Sequence, residues 1–308
     1  MKNFTSRRFH VFIKQSERLI VFHRRIDSMK RILCTILTLA CSVVLTACGA
    51  SSTSSEAVTY GFLDETLGTE NYAIGFRLGD EELAETVSAA VKALVKNGTY
   101  ASIAENYPDI KDYLSLGPED ISDDEIAQPG SGDPNYTFKH GFDLDYPPYS
   151  YLNDAGEVGG FDVEMAQAVC EYLGWKYEPV PFNWDFKDAE LNAGSCDCIW
   201  SGFTKEGRED MYTWGITYST NTQMIMVASN SGIKTLADLA GKTVGVQIST
   251  SAADMLEGDR ADLAATFNEL KVYETYTVAF NDLKAGAIDA IAIDVTAGSY
   301  LIANENKQ

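Results

Sequence analysis

The sequence predicts an α/β protein of two compact lobes, each a mainly parallel sheet flanked by helices. Three observations carry that expectation. From residue 136 onward, short apolar runs of strand length alternate with helical periods. Polar clusters recur just after those runs, at the carboxyl ends where sheets of this class hold ligands. A chain of 308 residues has material for two separate cores.

The amino-terminal stretch stands apart. The formal net charge is −21, yet residues 1–31 carry nine Lys/Arg against Glu17 and Asp27, which leaves −28 on the remainder. An acidic body of that kind repels phosphate backbones, so nucleic-acid binding is disfavoured. Ile32 to Ala47 is 16 residues without a charge, short for a membrane span and suited to a secretion signal behind a basic region. Met29-Lys30-Arg31 fits a start, which would make 1–28 an upstream extension. The run closes on Leu45-Thr46-Ala47-Cys48-Gly49, which resembles a bacterial lipobox. That resemblance implies a signal peptide over 1–48 and a lipid on Cys48. The Ser/Thr-rich residues 49–56 then read as a flexible tether.

Cys170, Cys196 and Cys198 remain beyond the leader. Three is an odd number, so at least one is free or pairs with another chain, and buried free thiols are the expectation. With His140 the one histidine outside the leader, a metal site is not expected.

The elements follow in order. Val58 to Leu67 is a short mixed segment, and Glu70 to Arg77 alternates as a strand does. Asp80 caps a helix with Leu83, Val87, Val91 and Leu94 on one stripe, stopped at Asn97-Gly98. A short helix over Tyr100 to Asn106 ends before Pro108. Residues 117–134 are acidic, carry Pro and Gly and lack an apolar period, which reads as a flexible linker. Strands are expected at Tyr136–Phe142, Tyr177–Pro181, Cys196–Trp200, Thr222–Ala228, Lys242–Val246 and Ala290–Asp294. Helices are expected from Val163 to Leu173, stopped by Gly174, and at Asp188–Ala193, Leu236–Leu239, after Ser251 and at Ala279–Ala285.

Trp200-Ser201-Gly202-Phe203-Thr204 with Arg208 four residues on fits an anion pocket. Backbone N–H groups and small hydroxyls face the ligand, and a guanidinium closes on it. An ordinary turn with a surface arginine fits those residues equally well. Asp143, Ser201–Arg208, Gln247–Ser251 and Asp294 all fall at strand carboxyl ends, and four polar clusters in one place outweigh any one of them.

Together these residues resemble the extracytoplasmic solute-binding proteins of polar amino-acid ABC importers. The resemblance rests on Asp143…Tyr146-Pro147-Pro148-Tyr149, Gly160-Phe161-Asp162-Val163-Glu164, Ser201-Gly202-Phe203-Thr204…Arg208, Gly241–Val246 and Ile288-Asp289-Ala290. It implies a type II periplasmic-binding-protein-like fold and no catalysis. It also implies roles: Arg208 with Thr204 grips the ligand carboxylate, and Thr250 and Ser251 meet it from the second lobe. Asp294 and a carbonyl of Ser201 or Gly202 take the ammonium. Tyr146 and Trp184 sandwich the side chain, and Asp143 and Gln247 read its tip. Ser249 stands where that family commonly has Gly, and the Thr204-to-Arg208 spacing is one shorter than in familiar members.

The resemblance runs in order over 136–308, but a segment like Tyr72–Tyr100 comes last in that family and first here. The expectation is therefore a circular permutant. Residues 57–72 and 226–308 form lobe 2, residues 73–116 and 135–225 form lobe 1, and 117–134 is the joint. The expected function is a monomeric receptor that closes on a free polar L-amino acid, needs no cofactor, and delivers to a permease with its cytoplasmic ATPase from a lipid anchor. A dehydratase-like enzyme, a ligand sensor for a signalling partner and a non-functional rearrangement product are the rivals, and a swapped dimer is the rival assembly.

Overall fold

The computed structural model describes residues 57–153 and 155–305. The expected signal peptide with Cys48, and the tether at 49–56, lie outside the described residues.

Two long antiparallel strands, β1 (Tyr60–Phe76) and β8 (Thr213–Ala228), run through the middle of the molecule. On one side lie β7 (Cys198–Ile199), β2 (Thr137–Asp143) and β6 (Lys176–Phe182), with β2 parallel to both neighbours. On the other lie β11 (Ala290–Asp294), β9 (Thr243–Gln247) and β10 (Glu269–Tyr273), mutually parallel. The eight strands form one mixed sheet in the order β10-β9-β11-β8-β1-β7-β2-β6. Each parallel trio is one lobe's sheet, and β1 and β8 belong to both. A small sheet of β3 (Asp145–Tyr146), β4 (Ser150–Leu152) and β5 (Val158–Gly159) sits beyond β2.

The expected strand-helix alternation is present, and local chemistry explains it. Helix α1 (Glu81–Lys96) buries Ala84, Val87, Val91 and Leu94 on one stripe, with Glu81 and Glu82 in its first turn and Lys96 in its last, matching the helix dipole. The next helix, α2, covers Thr99–Ala104. Helix α3 (Phe161–Leu173) ends at Gly174, whose φ of 79° is the left-handed conformation a side chain disfavours. Helix α4 (Lys187–Ala193) follows the single turn Trp184–Phe186. Beyond β9 come α5 (Ser251–Glu257), α6 (Ala261–Ala264), α7 (Tyr276–Lys284) and α8 (Val295–Glu305). All five residues of β11 are buried, as expected of an interior strand covered on both faces.

Two expectations need correction. Val58–Leu67 is not a separate segment: it is continuous with the strand that follows, so the boundary drawn at 72/73 falls inside β1. Register shifts between Phe62 and Thr66, Thr66 and Gly68, and Tyr72 and Gly75 accommodate the glycines and acids that interrupt its apolar pattern. The expected strands at Glu70 to Arg77 and Thr222–Ala228 are thus portions of two much longer ones. The joint at 117–134 is not free either. Ile121 is buried, the Ala127 N–H donates to Ala89 O at 3.0 Å, and the Gly130 and Gly132 N–H groups donate to Tyr172 O and Leu173 O at 2.8 and 2.9 Å. Lys92–Glu125 and Lys96–Asp123 pairs add to this. The acidic composition that suggests solvation lies along the basic residues of α1. Cys170, Cys196 and Cys198 are buried and free.

Candidate functional site

Asp143 ends β2, Ser201 and Gly202 follow β7, Gln247 ends β9 and Asp294 ends β11. These carboxyl ends converge. Asp143, Tyr146, Trp184, Ser201, Gly202, Thr204, Arg208, Gln247, Thr250, Ser251 and Asp294 line one small pocket. Every one of these residues is buried. Both lobes contribute: Gln247 to Ser251 and Asp294 from the β9/β11 side, the rest from the β2/β7 side.

At one end is Arg208. Its Nη1 donates to Thr204 O at 3.3 Å, and its Nη2 donates to Asp254 Oδ2 at 2.6 Å and Ser249 O at 3.5 Å. Five N–H donors on a planar guanidinium leave some of the fork for another acceptor. Phe203 lies 5.3 Å from the guanidinium carbon and fixes its plane. Gly202 has φ 53°, and a Cβ there would come within 2.6 Å of Tyr146 Cε1, so both its backbone and its closeness to the ring require glycine.

The facing loop explains Ser249. It has φ 58°, an uncommon conformation for a residue with a side chain. Its carbonyl there accepts from Trp184 Nε1 at 3.0 Å and Lys187 Nζ at 3.3 Å, and its hydroxyl donates to Asp185 Oδ1 at 2.7 Å. The Thr250 hydroxyl donates to Gln247 O and accepts from the Ala253 N–H, as an N-cap does. The Ser251 hydroxyl accepts from Gln223 Nε2 and donates to Glu70.

The opposite end is acidic. Asp294 Oδ1 accepts from Tyr72 OH at 2.5 Å, Asn221 Nδ2 at 2.8 Å and Gln223 Nε2 at 2.6 Å. Glu70 shares those amides, and burial, then the charge of Asp294, push its carboxyl up to about 7. A third acid, Asp143, accepts from Gln247 Nε2 at 2.8 Å and is also pushed up to about 7 by burial. Gln247 Oε1 is buried with no hydrogen-bond partner.

Tyr146 stacks on Tyr149 at 5.7 Å and 15°, and Trp184 meets Phe203 edge-on at 5.4 Å. Both rings line the pocket. Trp200 does not; it is a core residue, 1% exposed. Sequence reasoning missed Glu70, Tyr72, Lys187 and Asp254. Glu70 and Tyr72 had a signal, since residues two apart on a strand share a face. Lys187 had none: a lysine beside an aspartate opening a helix reads as surface, yet it is 4% exposed, and burial lowers its pKa.

Comparison with known proteins places this geometry. The family model of bacterial extracellular solute-binding proteins, family 3, matches residues 138–292. The L-cystine-binding protein TcyJ of Escherichia coli (strain K12) is 31% identical over 169 residues, 54% of this chain and 62% of that protein. The arginine-binding extracellular protein ArtP of Bacillus subtilis (strain 168) is 28% identical over 172 residues, 54% of this chain and 65% of its own length. The chain thus spans less than two thirds of these curated relatives. Among solved structures, an ABC uptake transporter substrate binding protein from Streptococcus pneumoniae with bound histidine superposes with a TM-score of 0.53 at 32% identity, covering 55% of this chain and 70% of that one. The two-lobed type II binding-protein architecture is common to both.

Proposed function

This chain belongs to the bacterial extracellular solute-binding proteins, family 3, and from that premise we propose that it is a receptor for a free polar L-amino acid, which it hands to an ABC importer. The observation that carries this reading is the pairing of a buried cation, Arg208, with a buried carboxylate, Asp294, in the lining of one small pocket. That pairing complements the carboxylate and ammonium of a zwitterion, and no nucleophile or acid–base step is called for. Arg208 and the backbone of 202–204 hold the carboxylate, Asp294 and a carbonyl of Ser201 or Gly202 take the ammonium, and Tyr146 and Trp184 flank the side chain. Asp143 and the unpartnered Gln247 Oε1 are both acceptors, which favours a side chain with N–H donors. The lobes pivot on β1 and β8, and ligand contacts to both bias the equilibrium toward closure.

A thermal-shift panel of the twenty amino acids on the purified protein tests this. A ligand present at a thousand times its Kd raises stability by about 4 kcal/mol. A panel without a hit sinks the reading, and so does a hit undiminished by Arg208→Ala.

We also propose that the chain is a circular permutant, with 57–116 supplying in front what relatives carry at the end, and that a lipid on Cys48 tethers it through the lobe of β9–β11. Support comes from β1, which lies outside the matched residues yet fills the sheet between β8 and β7, and from α1, which packs on β1 and β8. A gene recut so that 135–305 precedes 57–116 should yield a cooperatively melting protein with the same ligand; an insoluble product would count against permutation.

A further inference from the structure

We propose that Glu70 is a positioning residue for the ammonium end of the pocket, and that docking of an ammonium beside Asp294 drives one proton off the Glu70–Asp294 pair into solvent. The proposal rests on the amino-acid-receptor reading above.

The geometry is a carboxyl pair sharing one set of donors. Glu70 is 2% exposed on β1, two residues before Tyr72. Its Oε1 accepts from Asn221 Nδ2 at 2.6 Å and Gln223 Nε2 at 2.8 Å, and its Oε2 contacts the Ser251 hydroxyl. The same two amide nitrogens also donate to Asp294 Oδ1. Two carboxyl groups so placed in a dry site do not both ionise without a counter-charge.

The surroundings supply none. Asp294 faces Glu70 from β11, and Tyr72 from its own strand; Tyr276 faces the pair from α7, and Tyr146 faces Asp294 across the pocket. Strand β8 offers the two amides, α5 the Ser251 hydroxyl, and α8 the Thr296 hydroxyl, which donates to Asn221 Oδ1 at 3.2 Å. Asp254 on α5 is turned to Arg208. Among the described residues no lysine or arginine forms an ion pair with Glu70 or Asp294, and the Glu70 carboxyl is held up to about 7 by burial and by Asp294.

The balance is then simple. The unliganded pair carries one proton and one negative charge. A ligand ammonium brings the missing positive charge, the second carboxyl ionises, its O–H bond breaks, and water or buffer takes the proton. Nothing is oxidised or reduced. Because binding releases a proton, affinity rises with pH through about 7 and levels off about one pH unit above it.

The test is isothermal titration of L-arginine, which keeps its charges below pH 7, into the full protein at pH 6 in two buffers of different ionisation enthalpy. The expected result is close to one proton released per ligand from this pair, and on its account an affinity about fivefold higher at pH 7 than at pH 6. Both contributions should be lost in Glu70→Gln, which keeps an acceptor for the two amides; release that remains there comes from Asp143, which burial also holds up to about 7. Binding by wild type without proton release overturns the proposal, as does undiminished release by a cooperatively melting Glu70→Gln. Where that variant fails to fold, or where L-arginine does not bind and the receptor reading fails for that ligand, ¹³C-carboxyl titration of glutamate-labelled, ligand-free wild type decides. A glutamate titrating near 7 supports the proton site; all glutamates in the ordinary carboxylate range overturn it.

Discussion

Arg208→Ala separates a ligand grip from a structural ion pair. Arg208 is buried, while the Asp254 side chain it meets at 2.6 Å is 60% exposed. A pair with one partner that wet contributes about 0–1 kcal/mol, and the stack on Phe203 adds about 0.5–1 kcal/mol. If Arg208 merely joins the lobes, its truncation lowers stability by about 0.5–2 kcal/mol, and Asp254→Asn forfeits only the pair's share of about 0–1 kcal/mol. If it grips a desolvated carboxylate, its truncation removes about 2–5 kcal/mol of binding, roughly thirtyfold to several thousandfold in Kd. Asp254→Asn would instead leave affinity within a few-fold. Isothermal titration with the strongest amino acid of the thermal-shift panel reads both variants. An Arg208→Ala protein that binds within threefold of wild type would refute the assignment.

Gly202→Ala should destabilise by about 1–3 kcal/mol and weaken binding, because its Cβ would meet the Tyr146 ring at 2.6 Å from a left-handed backbone; thermal melting and titration check this. Ser249→Gly should raise stability by up to about 1 kcal/mol, since it relieves φ 58° and forfeits one exposed bond to Asp185; urea melts decide, and a loss above 1 kcal/mol would show that the side chain matters more than the backbone. Asp162 accepts from the Gly202 N–H at 2.7 Å and Tyr218 OH at 2.6 Å, and burial pushes its carboxyl up to about 7. The folded value lies above the unfolded one, so its stabilising contribution is full below about pH 4 and is lost as pH rises to 7. Asp162→Asn should flatten that part of the slope in urea melts at pH 5 and pH 8.

Legibility in the sequence followed how local the cause was. Helix α3 was readable because its apolar period and Gly174 lie within one short stretch. Strand β11 was readable because a strand covered on both faces is apolar throughout. Strand β1 was not, because its partner β8 lies more than 130 residues away and its bulges break the two-residue period. The eleven pocket residues were found because they sit at strand ends and match a known pattern. Glu70 and Lys187 were hidden by composition. In a chain with 45 acids a single buried glutamate looks like surface, and its burial depends on Ser251, 181 residues away. The joint at 117–134 looked like solvent-exposed linker for a similar reason, since what holds it is mostly its own backbone against α1 and α3.

The bonds that span the lobes show why a ligand would be needed to hold them shut. Across the pocket mouth run Trp184 and Lys187 to the Ser249 carbonyl, Ser249 to Asp185, Arg208 to Asp254 and Thr277 to Asp145. Several of these are partly exposed and contribute about 1 kcal/mol or less apiece, against the ordering of the side chains that make them. Moving an equilibrium from 1:99 to 99:1 takes about 5.5 kcal/mol of differential binding. A zwitterion held between Arg208 on one lobe and Asp294 on the other would offer energy on that scale, because both groups are buried in this arrangement and each would meet a counter-charge there. Ser249 fits the same logic. Its left-handed backbone turns one carbonyl toward Trp184, Lys187 and Arg208, so contacts from the opposite lobe offset the strain. Shape at the mouth and charge inside the pocket thus favour the same closed arrangement, the first weakly and the second strongly.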